Sequence, residues 1–176
     1  MIADLQPYAE YKESGPPWLG QVPAHWETMR LKRILRPVDR RSSTGTETLL
    51  SLRRDHGVVV HADHFSRPPQ GVTTVGFKLV RTGELVVNRM QANNGLLFHS
   101  RLTGLVSPDY SVFEARSPLL IDYLSDLIRT PHYRAHFRRE STGLGTGSAG
   151  FLRLYDDRFL NTIVATPPFD EQTAIV

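Results

Sequence analysis

The stretch Asn88-Arg89-Met90-Gln91-Ala92-Asn93-Asn94-Gly95 gathers long polar side chains directly after a strongly apolar run. Arginine bonds bidentately to guanine, and asparagine or glutamine to adenine, so Arg89, Gln91, Asn93 and Asn94 form a base-reading set. The same residues also describe an ordinary Asn-Gly turn with capping amides, and the chemistry alone leaves both readings open. Two basic stretches accompany it. Met29 to Arg41 carries six basic residues and one acid, and Arg129 to Arg139 carries four arginines, two histidines and no acid. Arg30, Lys32 and Arg33 in the first and Arg134, Arg138 and Arg139 in the second are candidates for phosphate contact, which is local, electrostatic and independent of base sequence. Ser141, Thr142 and Thr146 follow the second stretch in a Gly/Ser/Thr loop and are further candidates for base contact.

Catalytic patterns are weaker. Gly145-Thr146-Gly147-Ser148-Ala149-Gly150 has the spacing of a dinucleotide fingerprint, but that motif needs a strand before it and a helix after it. Here a basic helix precedes and a strand-like segment follows, and no Lys-Ser/Thr completes a phosphate-binding loop. Thr166-Pro167-Pro168-Phe169 has the outline of the (Asn/Asp)-Pro-Pro-(Tyr/Phe) motif of amino methyltransferases, with threonine where the amide or carboxylate must accept from the target amine. Pro108-Asp109 with Glu114-Ala115-Arg116 is too closely spaced for a metal-dependent nuclease and has arginine where lysine is expected. His61, Asp63 and His64, and His132 with His136, are incomplete as metal ligand sets. The residues call for no cofactor, no metal and no catalytic group.

The elements that must position these residues can be read from periodicity. Leu49 to Ala115 predicts strands at Val58–Val60, Phe77–Val80, Leu85–Val87, Leu102–Val106 and Ser111–Ala115, separated by turns such as Arg81-Thr82-Gly83-Glu84. A short basic helix is predicted over Arg30–Arg36, ended by Pro37. Ser117-Pro118 opens a helix whose Leu120, Tyr123, Leu124, Leu127 and Ile128 form one apolar stripe. Thr130-Pro131 opens a second, basic helix through Arg139; a strand-like Phe151–Leu154 and the apolar run Ile163–Ala165 follow. Residues 1–28 read as an irregular leader pinned to the core by Trp18 and Trp26. Pro167-Pro168 closes the body, and Asp170 and Glu171 favour a helix start whose apolar periodicity has only begun at Ala174. So short a helix does not hold itself, and the chain reads as cut or as completed by something else.

With 176 residues, 40% hydrophobic content and a net charge of +3, the chain suits one globular domain with a core. Without cysteine, disulfides, thiol catalysis and cysteine-based zinc sites are excluded. No apolar run reaches the ~20 residues of a membrane span, and residues 1–12 lack the pattern of a signal peptide, so a soluble, cytoplasmic protein without a membrane partner is expected. The fold class expected is α/β (α+β): a compact domain with a mixed or antiparallel sheet flanked by short helices.

Four ordered blocks carry a resemblance. Tyr11–Gly15 with Trp18–Trp26, Gly83–Met90, Gly104–Tyr110 and Pro167–Gln172 resemble, in that order, the conserved blocks of the specificity (S) subunit of type I restriction-modification systems. The resemblance covers about residues 11–176. It implies a leader over 1–28, a target recognition domain over 29–167 that reads half of a split site in double-stranded DNA, and the start of a conserved spacer helix over 168–176. It implies that Glu171 and Gln172 begin the surface that docks methylation (M) and restriction (R) subunits, which carry the catalysis. A whole S subunit has two recognition domains, so a second domain in cis or a second copy is the expected partner. Thr166 departs from the aliphatic residue usual before the Pro-Pro pair. The rival readings are a stand-alone DNA methyltransferase or nuclease fragment, and a truncated protein-interaction module.

Overall fold

The structure, a computed structural model, describes residues 7–65, 73–116, 121–144 and 151–176. A hairpin of β1 (Tyr11–Glu13) and β2 (Gln21–Pro23) opens the chain, so part of the expected irregular leader is regular. Next come β3 (Glu27–Arg30), α1 (Leu31–Ile34), β4 (Leu35–Val38), β5 (Leu50–Arg53), β6 (Gly57–Val60) and α2 (His61–His64). β7 (Lys78–Val80), β8 (Leu85–Asn88), a single 3-10 turn (Ala92–Asn94), β9 (Leu97–His99), β10 (Gly104–Val106) and β11 (Tyr110–Ala115) follow. The rest is α3 (Ile121–Ile128), α4 (Pro131–Glu140), β12 (Thr142–Leu144), β13 (Phe151–Arg153), α5 (Asp156–Asn161), β14 (Ile163–Thr166) and α6 (Phe169–Ile175).

The centre is a four-stranded antiparallel sheet in the order β4-β11-β8-β9. Successive residues of a strand face opposite sides, and here both sides are covered. Leu85, Val87, Leu97 and Phe113 point into a core shared with α1, α3, α4 and α5, where Leu31, Leu124, Ile128, Tyr133, Phe137 and Phe159 meet them. Val86, Phe98 and Val112 point into a second core with Leu50, Leu52, Val80 and Val106 from the smaller β pairs. That is why β8 reads as an unbroken apolar run: Leu85, Val86 and Val87 are all buried. The expected strands and the mixed α/β class with antiparallel sheets are what the structure shows.

The first basic helix is shorter than its pattern. Only one turn, Leu31–Ile34, is helical, and Leu35 enters β4. Pro37 disfavours helix at Arg36, and it sits opposite Phe113 on an edge strand, where a missing N–H is tolerated. α4 begins at Pro131 as expected, but the hydroxyl of Thr130 donates back to Leu127 O at 2.8 Å and caps nothing. Ser117, Pro118 and Leu120, read as the start and first stripe residue of α3, lie outside the described residues. No pattern in the sequence marked α5; its Phe159 closes the helical core against Phe113 and Phe137.

Candidate nucleic-acid interface

The polar loop after β8 is held by its own backbone and amides. Asn88, buried at the strand end, accepts from Met90 N through Oδ1 at 3.1 Å, and its carbonyl accepts from Gln91 N at 3.0 Å. The 3-10 turn ends at Gly95, whose positive φ of 83° suits glycine and whose N–H donates to Ala92 O. Asn94 Nδ2 donates to Gln91 Oε1 at 2.7 Å. That bond consumes one acceptor and one donor and leaves the Gln91 amide group and the Asn94 carbonyl oxygen for other partners. Gln91 is exposed, whereas Asn93 and Asn94 are half-buried. So the Asn-Gly turn and the cluster of readable amides coexist in one loop.

Two arginines of the candidate set are engaged nearby. Arg134 of α4 donates from Nε to Asn93 O at 3.2 Å and lies against Gly95, joining the basic helix to the loop. Arg89 folds onto the Ser107–Tyr110 turn, donating from Nε to Asp109 O at 2.6 Å. Arg153 of β13 reaches the same residue, with Nη2 2.9 Å from Asp109 Oδ1. Lys78 of β7 donates to Tyr110 O at 2.7 Å and lies 3.9 Å from Asp39. Burial pushes the Lys78 ammonium below its ordinary pKa, and Asp39 partly offsets this. Sequence reasoning missed Lys78, Asp109 and Arg153 as a group because they come from three separated segments with no spacing in common.

The exposed cations divide by element. Arg138 and Arg139, in the last turn of α4, are exposed and make no hydrogen bond or ion pair with a described residue. Lys32 and Arg33 on α1 are likewise exposed and unpaired among the described residues, and Arg30 Nη1 lies 3.5 Å from Asn161 Oδ1. Ser141 turns its hydroxyl back to Phe137 O at 2.6 Å, while Thr142 is exposed on β12. Thr146, with the whole Gly145–Gly150 motif, lies outside the described residues. His136 is stacked on Trp18, ring centroids 4.0 Å apart, and burial pushes its pKa down. Trp18 thereby packs against α4. No group of three or more potential metal ligands occurs among the described residues, and no helix among them is long and apolar enough to cross a membrane.

In the C-terminal helix α6, Glu171 and Gln172, expected to begin a docking surface, are both bonded within the chain. Glu171 accepts from Tyr8 Oη at 2.9 Å and Trp26 Nε1 at 3.0 Å, and pairs with His25 Nε2 at 2.5 Å. Burial pushes its carboxyl pKa up, but the bonds from His25, Trp26 and Tyr8 outweigh that and hold it below the ordinary value. Gln172 is buried and donates to Pro167 O at 2.9 Å. The seven residues Phe169–Ile175 are helical, and their first turn is bonded to the leader and to the preceding Pro-Pro segment. Phe169, Ile175 and Val176 remain exposed.

No protein-family model and no curated protein matches the chain. Solved structures share its fold, two of them as follows. One is the crystal structure of the HsdS subunit from Thermoanaerobacter tengcongensis, 15% identical over 94% of this chain, with a TM-score of 0.55. The other is a chain from a structure of the type I R-M system described for its complex assembly and conformational transition, 17% identical over 88% of this chain, also with a TM-score of 0.55. The match spans 38% and 37% of those two chains. At such identities the likeness is one of fold: a small α/β domain with antiparallel sheets and short helices.

Proposed function

We propose that this chain is a sequence-specific DNA-recognition domain of the kind found in type I restriction-modification specificity subunits, reading one half of a split site in double-stranded DNA. The fold shared with HsdS over 94% of the chain is the observation that carries the reading. Lys32, Arg33, Arg138 and Arg139, exposed and without a partner among the described residues, support it, since phosphate contact positions a protein on DNA without reading sequence. In this reading Lys32, Arg33, Arg138 and Arg139 contact phosphates together with Arg30. Gln91, with Asn93 and Asn94, reads base edges beside Ser141, Thr142 and Thr146. Arg134 sets the position of the loop.

Methyl transfer and cleavage belong to partner M and R subunits in a cytoplasmic defence complex, and this chain directs them. Glu171 and Gln172 serve docking by fixing the direction of α6, whose exposed Phe169, Ile175 and Val176 offer apolar contact. A second recognition domain, in cis or as another copy, reads the other half-site. Selecting bound duplexes from a random-sequence pool, with the chain assembled with M subunits, tests the reading. A short common sequence among the selected duplexes is expected; a pool unchanged after several rounds would sink it.

A further inference from the structure

The convergence on Asp109 has a charge ratio that the fold itself does not require. Arg153 Nη2 lies 2.9 Å and Arg89 Nη2 3.9 Å from the same carboxylate oxygen, Asp109 Oδ1. Two guanidinium groups thus share one carboxylate. Both arginine side chains are about four-fifths buried, at 20% and 18% exposure, whereas Asp109 is 53% exposed. Arg153 Nε is buried with no hydrogen-bond partner among the described residues. Two guanidinium groups on one half-exposed carboxylate leave N–H donors for a second anion. Lys78 adds a third cation at Tyr110 O. Its nearest counter-charge is Asp39, which also pairs with Arg41, and Asp156, which accepts from the Ser111 hydroxyl, acts on it as well. Four cations, Arg41, Lys78, Arg89 and Arg153, thus face three carboxylates, Asp39, Asp109 and Asp156, and Arg89 and Arg153 are the pair that share one.

We infer that Arg89 and Arg153 form a phosphate-binding site for which the Asp109 carboxylate is the internal placeholder. A carboxylate oxygen held by guanidinium N–H groups stands where one oxygen of a phosphate group would sit, and phosphate is as good an acceptor for guanidinium groups. The ligand class is a phosphate group, from a nucleic-acid backbone or from free phosphate; the backbone source rests on the DNA-recognition reading. Arg89 then acts on phosphate and positions the adjoining Gln91–Asn94 turn, and Asp109 lowers the site's affinity for any polyanion. Arg89 and Arg153 are carried by the β8 loop and by β13, two segments already joined by Leu154 N donating to Arg89 O at 2.9 Å, so the site is preorganised.

The test compares the wild-type chain with Asp109→Asn, Arg153→Ala and the double variant. Binding of a random-sequence duplex is followed by fluorescence anisotropy across salt, and arginine side-chain NMR signals are followed during titration with inorganic phosphate. Asparagine keeps the Asp109 backbone carbonyl that Arg89 uses, and circular dichroism reports whether each variant folds. Asp109→Asn should tighten duplex binding about threefold or more and steepen the log–log salt slope by about one contact. Arg153→Ala should reverse both effects, and phosphate should shift the Arg153 signal more in Asp109→Asn than in wild type. A phosphate shift without any duplex binding by the wild type would retain the site, assign it to free phosphate and count against the DNA reading. Duplex binding that is unaltered in Asp109→Asn, with Arg153 signals indifferent to phosphate, overturns the site and leaves the DNA reading standing. Should Asp109→Asn not fold, Arg153→Ala alone decides: unchanged duplex affinity and an unchanged phosphate response overturn the proposal.

Discussion

Arg138 and Arg139 differ from Arg134 in what holds them, and the difference gives each a distinct expected phenotype. Arg134 is bonded to Asn93 O, so its loss disturbs the loop, whereas the other two project without a partner among the described residues. Arg138→Ala and Arg139→Ala are each expected to weaken binding of all duplex sequences about equally and to reduce the salt slope by about one. Affinity measured over a salt series on two unrelated duplexes checks this, and an effect on only one duplex would reassign the residue to base contact. Gln91→Ala is expected to remove about 1–3 kcal/mol of discrimination at one base-pair position, read as altered preference in a selected pool. Loss of affinity with the preference intact would instead return the loop to a purely structural turn.

At the scale of elements, close approaches and buried titratable groups make the fold testable. β10 runs beside Thr48, and a Cβ built on Gly104 would lie 2.3 Å from Thr48 O, the acceptor of the Leu105 N–H. Gly104→Ala must move backbone and is expected to cost about 1–3 kcal/mol in denaturant unfolding. His136, kept neutral by burial against Trp18, has a folded pKa below its unfolded one. Its contribution to stability is therefore present above about pH 6.5 and lost as pH falls through the folded value. Thermal unfolding across that range should show the loss, and His136→Phe, which keeps a ring against Trp18, should flatten it. Glu171 also has a depressed pKa, so its contribution persists to lower pH and is lost only as pH falls through its folded value. Trp26 fluorescence should report that release, and Glu171→Gln should abolish the acid transition.

The same scale shows what the sequence discloses. Period-2 and β-branched runs marked β6, β7, β8, β10 and β11, and the 3.6-residue stripe marked α3, because burial on defined faces imposes those periods. α1 was overextended because helical spacing and strand entry are indistinguishable over seven residues, until Pro37 is paired with Phe113. The hairpin of β1 and β2 and the short α5 escaped because they depend on tertiary packing more than on local pattern. The polar side chains of the loop Asn88–Gly95 stand out in the sequence as a candidate set. Their union with Arg153 and Asp109 does not, since nothing in the chain spacing ties residues 89, 109 and 153 together.

For the whole molecule, the two cores on either side of one sheet make a platform on which the Asn88–Gly95 loop packs against α4, with Gln91, Arg138 and Arg139 exposed. α6 leaves at a direction set by Tyr8, His25 and Trp26 through Glu171. A platform that positions one loop suits reading a short half-site, and specificity then depends on the ratio of specific to non-specific binding more than on affinity alone. The most direct measurement is that ratio: the affinity for a duplex carrying the selected half-site, divided by the affinity for the same duplex with that half-site scrambled, at physiological salt. A ratio of about ten or more, falling toward one in Gln91→Ala and unchanged in Arg138→Ala, is the predicted result. A ratio of one for the wild-type chain assembled with its partner subunits would contradict DNA recognition by this domain.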